Sequence, residues 1–139
     1  MLNARAKGRL GEQEVIAYLQ PVVNEAYREA GLEPPELVRN LSQSRAGGFD
    51  VSGLDWLALE VKRQESDQVS QWWQQCKRQA GESCVAVLVY RKSRTPWRVR
   101  MFGYVDAGAS RIRCPVDISM DAFLAYLHVR IIWELASKA

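Results

Sequence analysis

The sequence predicts a single α/β domain of the α+β type, in which helices flank a mixed sheet of four or five strands. Three observations favour this class. Three segments carry apolar residues at helical spacing, short β-branched or alternating segments lie between them, and a length of 139 residues suits one core. The predicted order is helix, three strands, helix, two or three strands, helix. Residues 1–139 are therefore interpreted as one domain.

The first helix is predicted from about Ala4 to about Ala30. Its apolar residues recur at helical spacing, although Pro21 could kink or split the helix. Gly31 suits a C-terminal cap, and the prolines that follow prevent the helix from resuming. The stripe consists of Val15, Leu19, Val22, Val23 and Ala26.

Three short strands and a second helix come next. The strands are predicted at LVRNLS, FDVSG and WLALEVK, with a tight turn from Gly53 to Asp55. The helix should begin after Ser66 as its N-cap and stop at Gly81. Both tryptophans are assigned to the core, because they lie on its inner stripe of Val69, Trp72, Trp73, Cys76 and Ala80.

The last third of the chain contains further strands and a helix. A strand covered on both faces is predicted at CVAVLVY, and a half-exposed strand at WRVRMF, with RKSRTP forming a hairpin-like loop between them. A short strand near RCPVDI precedes a helix from about Met120 to Ser137.

This last helix carries two apolar stripes, whereas a surface helix of a monomer usually needs one. The first consists of Phe123, Leu124, Leu127, Ile131 and Leu135. The second consists of Ala122, Tyr126, Val129, Trp133 and Ala136. The second stripe predicts a homodimer interface; the alternative is a helix wrapped deeper in the core of a monomer.

Composition sets broad limits on function. A net charge of +3 permits a nucleic-acid partner without requiring one, and the positive charge is concentrated in NARAKGR and RKSRTPWRVR. The three cysteines show no CxxC spacing, which favours reduced thiols. With no signal-peptide pattern and no apolar run near the ~20 residues of a membrane span, we expect a cytoplasmic protein without a membrane partner.

Charged residues inside the third strand are the main functional signal. Glu60 and Lys62 share one face of a largely apolar strand, and a buried charge is costly unless it is paired or binds a metal. A Glu–Lys ion pair at an exposed strand end is one explanation. The other involves Asp50, which a hairpin could bring beside Glu60. Two converging carboxylates repel, and Mg²⁺ or Mn²⁺ relieves that repulsion.

The first helix contributes a further carboxylate. At about 100° per residue, Glu12 falls in the middle of the apolar stripe, whereas Glu14 lies on the opposite, solvated face. A glutamate on a buried stripe is unusual, and a metal site would explain it. Glu14 needs no such explanation.

Taken in order, the segments KGRLGEQEV, GGFDV and ALEVKRQ resemble the PD-(D/E)xK nuclease superfamily, most closely the archaeal-type and phage Holliday-junction resolvases. The matching positions are Lys7, Gly8 and Glu12, followed by Asp50 and then by Glu60 and Lys62. The resemblance implies a restriction-endonuclease-like αβββαβ core, here with an additional C-terminal helix.

The resemblance also implies roles. Asp50 and Glu60 would hold Mg²⁺ (or Mn²⁺), with the Val61 carbonyl as a further ligand and Glu12 completing the first or second shell. The metal would activate a water. Lys62 would position that water or stabilise the charge of the reacting phosphate. Ser44 lies where the resolvases carry a loop serine, and its alternative is an ordinary loop serine.

Basic residues around these positions form the predicted DNA-binding surface. One group flanks the predicted catalytic residues and another lies on the hairpin loop; for each residue the alternative is a solvated surface charge. His128, without a partner at catalytic or metal spacing, is assigned a structural role. The predicted DNA-binding residues are Arg5, Lys7, Arg9, Ser44, Arg45, Arg63, Arg91, Lys92 and Arg94. The neighbouring Arg98 and Arg100 extend the second group.

The predicted function is a Mg²⁺-dependent, structure-selective DNA endonuclease, most similar to a Holliday-junction resolvase and acting on branched or four-way DNA as a homodimer. Two alternatives remain at this point. One is another nuclease of the same superfamily, of the repair, recombination or restriction type. The other is an inactive nuclease-fold module that binds DNA or protein.

Overall fold

The structure, a computed structural model, describes residues 4–40 and 49–138, with side chains from residue 6 onward. The helices are α1 (Ala4–Glu29), α2 (Val69–Ala80) and α3 (Met120–Lys138). The strands are β1 (Val38–Arg39), β2 (Val51–Ser52), β3 (Leu57–Arg63), β4 (Val85–Arg91), β5 (Arg98–Asp106) and β6 (Arg111–Ser119). The order of helices and strands agrees with the sequence prediction.

The strands form one mixed sheet in the order β1-β2-β3-β4-β5-β6. Only β3 and β4 pair in parallel within this sheet, and α2 provides the crossover between them. The α+β class is confirmed, but the prediction of four or five strands is wrong. The difference lies at the last strand, which the sequence treats as short and optional. It runs for nine residues and pairs with β5 along its whole length.

The sheet is covered on both faces. Leu57, Leu59 and Val61 of β3 point into a core shared with α1 and α3, while Ala58 points into a second core under α2. This alternation is the period-two pattern of a strand with two buried faces. The same pattern explains why β4 is apolar from Val85 to Val89, because Val87, Leu88 and Val89 have no accessible surface.

Helix α1 is continuous through Pro21, so the predicted kink or split does not occur within Ala4–Glu29. Its stripe residues Val15, Leu19 and Val23 are fully buried, as predicted. At its end, Gly31 has a φ of +75°, and the backbone N–H of Leu32 donates to the Tyr27 carbonyl at 2.9 Å. Gly31 therefore acts as the predicted C-terminal cap.

Helix α2 begins later than predicted. Gln68 precedes its first turn and makes no side-chain capping bond, whereas the Ser66 hydroxyl lies 3.5 Å from the Gln64 side-chain oxygen. Ser66 is therefore not the N-cap. The inner stripe is confirmed, since Trp72 and Trp73 are both buried.

Helix α3 buries its first stripe through Phe123, Leu127 and Ile131. On the second stripe, Val129 and Trp133 remain 69% and 58% exposed. The alternative of a helix wrapped deeper in the core therefore does not apply to these two residues. None of the helices in residues 4–40 and 49–138 has both the length and the apolar character needed to cross a bilayer.

Candidate active site

Two carboxylates meet where β2 and β3 pair. Asp50 immediately precedes β2, and its backbone N–H donates to the Leu59 carbonyl at 2.9 Å. Its side-chain Oδ2 accepts from the Val61 N–H at 2.6 Å. This arrangement places Asp50 beside Glu60, and the two side chains are only 6% and 2% exposed. Glu60 is thus buried, and an ion pair at an exposed strand end does not describe it.

Burial is the main cause that raises the pKa of Glu60 to about 9, and the charge of Asp50 raises it further. Lys62 acts in the opposite direction but does not compensate. Near neutral pH the Glu60 carboxyl therefore keeps its proton and donates it in a hydrogen bond to Asp50. A divalent cation offers this pair another way to relieve its repulsion.

Glu12 approaches from α1. Its Oε1 accepts from Arg39 Nε of β1 at 2.8 Å. Burial raises the pKa of Glu12 and outweighs the hydrogen bond from Arg39, which lowers it. Asp50 and Lys62 also act on the Glu12 carboxylate through their charges. The structure therefore brings together Asp50, Glu60, Glu12 and Lys62, with Arg39 at the margin. We call these five residues the acidic cluster.

The helix reaches the strand closely because residue 11 is glycine. A Cβ at Gly11 would lie 3.1 Å from the Cβ of Arg63 and 3.6 Å from a methyl group of Val61, whereas one at Gly8 would meet nothing within 4 Å. Gly8 belongs to the motif that the resemblance uses, but Gly11 is the residue that permits the close contact.

The donor set of the acidic cluster fits a hard divalent cation. It offers three carboxylates, which are the ligands that Mg²⁺ and Mn²⁺ prefer. Within residues 4–40 and 49–138, the only group of three potential ligand residues whose ligand atoms all lie within 4.8 Å of one another is Glu25, Glu29 and His128. The carboxylate oxygens of Glu12, Asp50 and Glu60 therefore do not all lie this close together. Asp50 and Glu60 are thus the residues that could hold the ion directly. Glu12, bonded to Arg39, lies further out.

A second charged cluster lies beside the first. Glu14 forms ion pairs with Arg63 and Arg91, each at 3.2 Å, and accepts from Trp97 Nε1 at 3.2 Å. Its side chain is 34% exposed. We call these four residues the arginine cluster. The sequence interpretation of Glu14 as a solvated residue is wrong, because residues at the ends of β3 and β4 and Trp97 just before β5 converge on its carboxylate.

The predicted DNA-binding residues occupy several different environments. Arg63 and Arg91 belong to the arginine cluster, and Lys7 lies 3.5 Å from Glu65. Arg9, Lys92 and Arg94 are exposed, and Arg94 has a φ of +67° in the turn between β4 and β5. Ser44 and Arg45, as well as the side chain of Arg5, lie outside the described residues.

Two other predictions concern residues away from the acidic cluster. All three cysteines are free, in agreement with the predicted reduced thiols. Cys76 is buried near Glu60, and burial raises the pKa of its thiol to about 12. His128 Nε2 lies 3.1 Å from Glu29 Oε2, so it links α3 to the end of α1. The carboxylates of Glu25 and Glu29 lie within 4.8 Å of the His128 ring, so the premise that His128 has no partner at metal spacing is wrong.

Sequence reasoning missed Arg39, Gly11 and Trp97. Arg39 lies on a two-residue strand that carries no strong periodic signal. Gly11 gave a weak signal, because a glycine inside a helix needs a reason such as close packing. Trp97, just before β5, alternates with Val99 as the pattern predicts, but its bond to Glu14 spans 83 residues and has no local signature.

Comparisons with known proteins add no further constraint: no protein-family model, no curated protein and no solved structure matches this chain.

Proposed function

We propose that this protein is a Mg²⁺- or Mn²⁺-dependent DNA endonuclease of the PD-(D/E)xK type that acts on branched DNA, with a four-way junction as the favoured substrate. The observation that carries the proposal is the buried Asp50–Glu60 pair, with Lys62 two residues after Glu60 on β3. A protein core rarely keeps two contacting carboxylates and a neighbouring lysine unless they have a use.

Within this proposal, Asp50 and Glu60 would hold the cation, together with the Val61 carbonyl. The Val61 N–H, which donates to Asp50 Oδ2, fixes the orientation of that carboxylate. Glu12 would orient water bound to the ion while Arg39 holds its carboxylate in place. The bound ion lowers the pKa of a coordinated water and neutralises charge on the phosphate.

Lys62 is proposed to position the attacking water or to stabilise negative charge on the phosphate. It follows Glu60 by two residues, so both side chains lie on the α2 face of β3. Its ammonium group would donate to the attacking water or to a phosphate oxygen that gains charge in the transition state.

The proposed assembly is a homodimer formed through α3. A two-fold dimer presents two equivalent sites, which suits the two symmetric strands of a junction. The support is the exposed pair Val129 and Trp133 on one side of this helix. The double variant Val129→Ser/Trp133→Ser should reduce the molar mass measured by light scattering. Tyr104→Ser, at an equally exposed side chain on β5, is the control. A wild-type monomer at micromolar concentration would contradict the dimer.

The central experiment is a cleavage assay with labelled four-way junctions, linear duplex and single strands, with Mg²⁺ or with EDTA. The wild type should nick the junction symmetrically only when the metal is present. Glu60→Gln and Lys62→Ala should lose the activity, whereas Glu33→Gln, at an exposed glutamate, should keep it.

The results with different DNA substrates distinguish the proposed function from its alternatives. Equal cutting of linear duplex would reject junction selectivity and favour another nuclease of the same type. Junction binding without cleavage in Mg²⁺ or Mn²⁺ would favour an inactive nuclease-fold module. Neither binding nor cleavage of any DNA would refute the proposal as a whole.

A further inference from the structure

A groove of about 760 Å³ opens on the α2 face of the sheet, between the first turn of α2 and the loop that joins β4 to β5. We propose that this groove binds an unpaired segment of the nucleic-acid strand that passes through the acidic cluster. The inference rests on the proposed function and adds to it that the substrate is single-stranded beside the cleaved bond. Its lining includes Gln71, Trp72, Tyr90, Lys92, Arg98 and Arg100.

The groove is aligned with the candidate active site by strand register. Lys62 of β3 pairs with Tyr90 of β4, and Tyr90 pairs with Arg98 of β5. Facing residues in neighbouring strands lie on the same side of a sheet, and strands are about 4.8 Å apart. Arg98 therefore lies about 10 Å across the sheet from Lys62.

The charge of the groove suits a phosphodiester backbone. Its lining contains four basic residues, Arg91, Lys92, Arg98 and Arg100, against one acidic residue, Asp67. Arg91 is already paired with Glu14. Arg98 and Lys92 are exposed, which leaves them accessible to phosphate oxygens. The excess of positive charge distinguishes this groove from a site for a neutral or cationic ligand.

The floor of the groove is held by hydrogen bonds. Arg100 donates to Asp117 twice, at 2.7 and 2.9 Å, and the hydroxyl of Tyr90 also bonds to Asp117. Burial is the main cause that raises the pKa of Tyr90, so its hydroxyl remains a donor. Tyr90 is therefore fixed between Lys62 and Arg98, and its ring offers a flat apolar surface to a base.

The dimensions favour one strand over two. A volume of about 760 Å³ lies in the range of sites that hold small organic ligands, roughly 300–1,000 Å³. It can take a short run of nucleotides but not the cross-section of a duplex. An aromatic ring in a basic groove is the usual recognition mode for single strands. In a branched substrate, such a segment would arise where base pairs open at the crossover point.

The test measures binding without cleavage, in EDTA, by the fluorescence anisotropy of a labelled single-stranded oligonucleotide. Arg98→Ala and Lys92→Ala should each weaken binding about tenfold. Each should also reduce the slope of log K against log salt concentration by about 0.7, because one phosphate contact is lost. The control is Arg28→Ala, at an exposed arginine in the last turn of α1.

A second arm compares a fully paired duplex with the same duplex carrying a short unpaired stretch. We expect tighter binding to the second, with the difference lost in Arg98→Ala. The inference is overturned if Arg98→Ala and Lys92→Ala behave like Arg28→Ala, even where cleavage of junctions is intact. If the wild type binds single strands through Arg98 but cleaves nothing, the groove stands and the nuclease proposal fails. If the wild type binds none of these oligonucleotides, the inference fails, and the nuclease proposal is decided separately by the cleavage assay with four-way junctions.

Discussion

The acidic cluster and the arginine cluster each include one glutamate of α1, yet they balance their charges in opposite ways. The first contains three carboxylates with Arg39 and Lys62, and one carboxyl, that of Glu60, keeps its proton. The second contains two arginines that share the single carboxylate of Glu14. The first cluster thus offers carboxylate ligands for a cation, while the second keeps one net positive charge.

The contrast begins with two residues on one helix. Glu12 and Glu14 are two positions apart and point about 200° away from each other around the α1 axis. Glu12 faces β1 and the Asp50–Glu60 pair, and Glu14 faces the ends of β3 and β4. The role of a carboxylate near a candidate site therefore follows from the residues it contacts rather than from its position along the chain.

The largest expected effect is on junction cleavage, in which variants of the two clusters should differ. Glu60→Gln removes a proposed ligand and should lower junction cleavage by about 10²–10³-fold or more. Glu14→Gln should stay within about threefold of the wild type, measured where both proteins are folded. Equal losses in the two variants would abolish the distinction between a reactive and a structural cluster.

The next effect concerns stability, for which we expect the Glu14 variant to be more damaging than the Glu60 variant. Glu14→Gln leaves Arg63 and Arg91 without their shared counter-charge, and the Nε atoms of both are already buried without a partner in the described residues. We expect a loss of about 2 kcal/mol in the free energy of unfolding, moderated by the partial exposure of Glu14. Urea denaturation at pH 7 measures it. Glu33→Gln should change stability by less than about 0.5 kcal/mol.

A third effect is the pH dependence of stability. The pKa of Glu60 rises from its ordinary value near 4.5 to about 9 on folding, so the folded state binds the proton more tightly than the unfolded state. The stabilisation is complete below about pH 4.5 and is lost as the pH rises through about 9. We expect the metal-free protein to lose on the order of 2 kcal/mol between pH 5 and pH 9.

The control for this effect is the same titration of Glu60→Gln, whose amide cannot ionise. Its unfolding free energy should change less with pH across that interval and should exceed that of the wild type near pH 9. Mg²⁺ should stabilise the wild type at high pH but not the variant. A wild-type profile that rises from pH 5 to pH 9 would contradict the assignment of a protonated Glu60.

The smallest effect concerns the helix that carries both glutamates. Gly8→Ala should stabilise the protein by about 0.5–1 kcal/mol, because alanine favours the helix and its Cβ meets open space. Gly11→Ala gains the same propensity but crowds the Cβ of Arg63 at 3.1 Å. We expect Gly11→Ala to be about 1–2 kcal/mol less stable than Gly8→Ala in thermal unfolding. Equal stability would show that α1 can move away from β3 without cost.

Much of the fold could be predicted from local patterns. The apolar run of β4, the alternation in β5 and the stripes of α1 and α2 each reflect burial that the sequence encodes at short range. Within the candidate site, Glu12, Asp50, Glu60 and Lys62 were selected because charges interrupted those patterns. Their mutual proximity is what the structure adds.

The remaining features depend on contacts between distant segments. The bond from Arg39 to Glu12 spans 27 residues, and the bond from Trp97 to Glu14 spans 83. No short-range period distinguishes these residues from ordinary surface charges or core aromatics. The full extent of β6 was missed for a related reason, since it contains Pro115, none of its residues is buried, and it pairs on one side only.

The sheet order has a consequence for the order in which the molecule is assembled. Every strand lies next to its neighbours in the chain. The β2–β3 hairpin has a short loop and should form within microseconds, whereas the parallel β3–β4 pair must wait for α2. Asp50 and Glu60 belong to such a hairpin and come together before α1 has to dock. The chain therefore meets the repulsion of its own site early in folding, and the speed of refolding should depend on protons and divalent cations through Glu60.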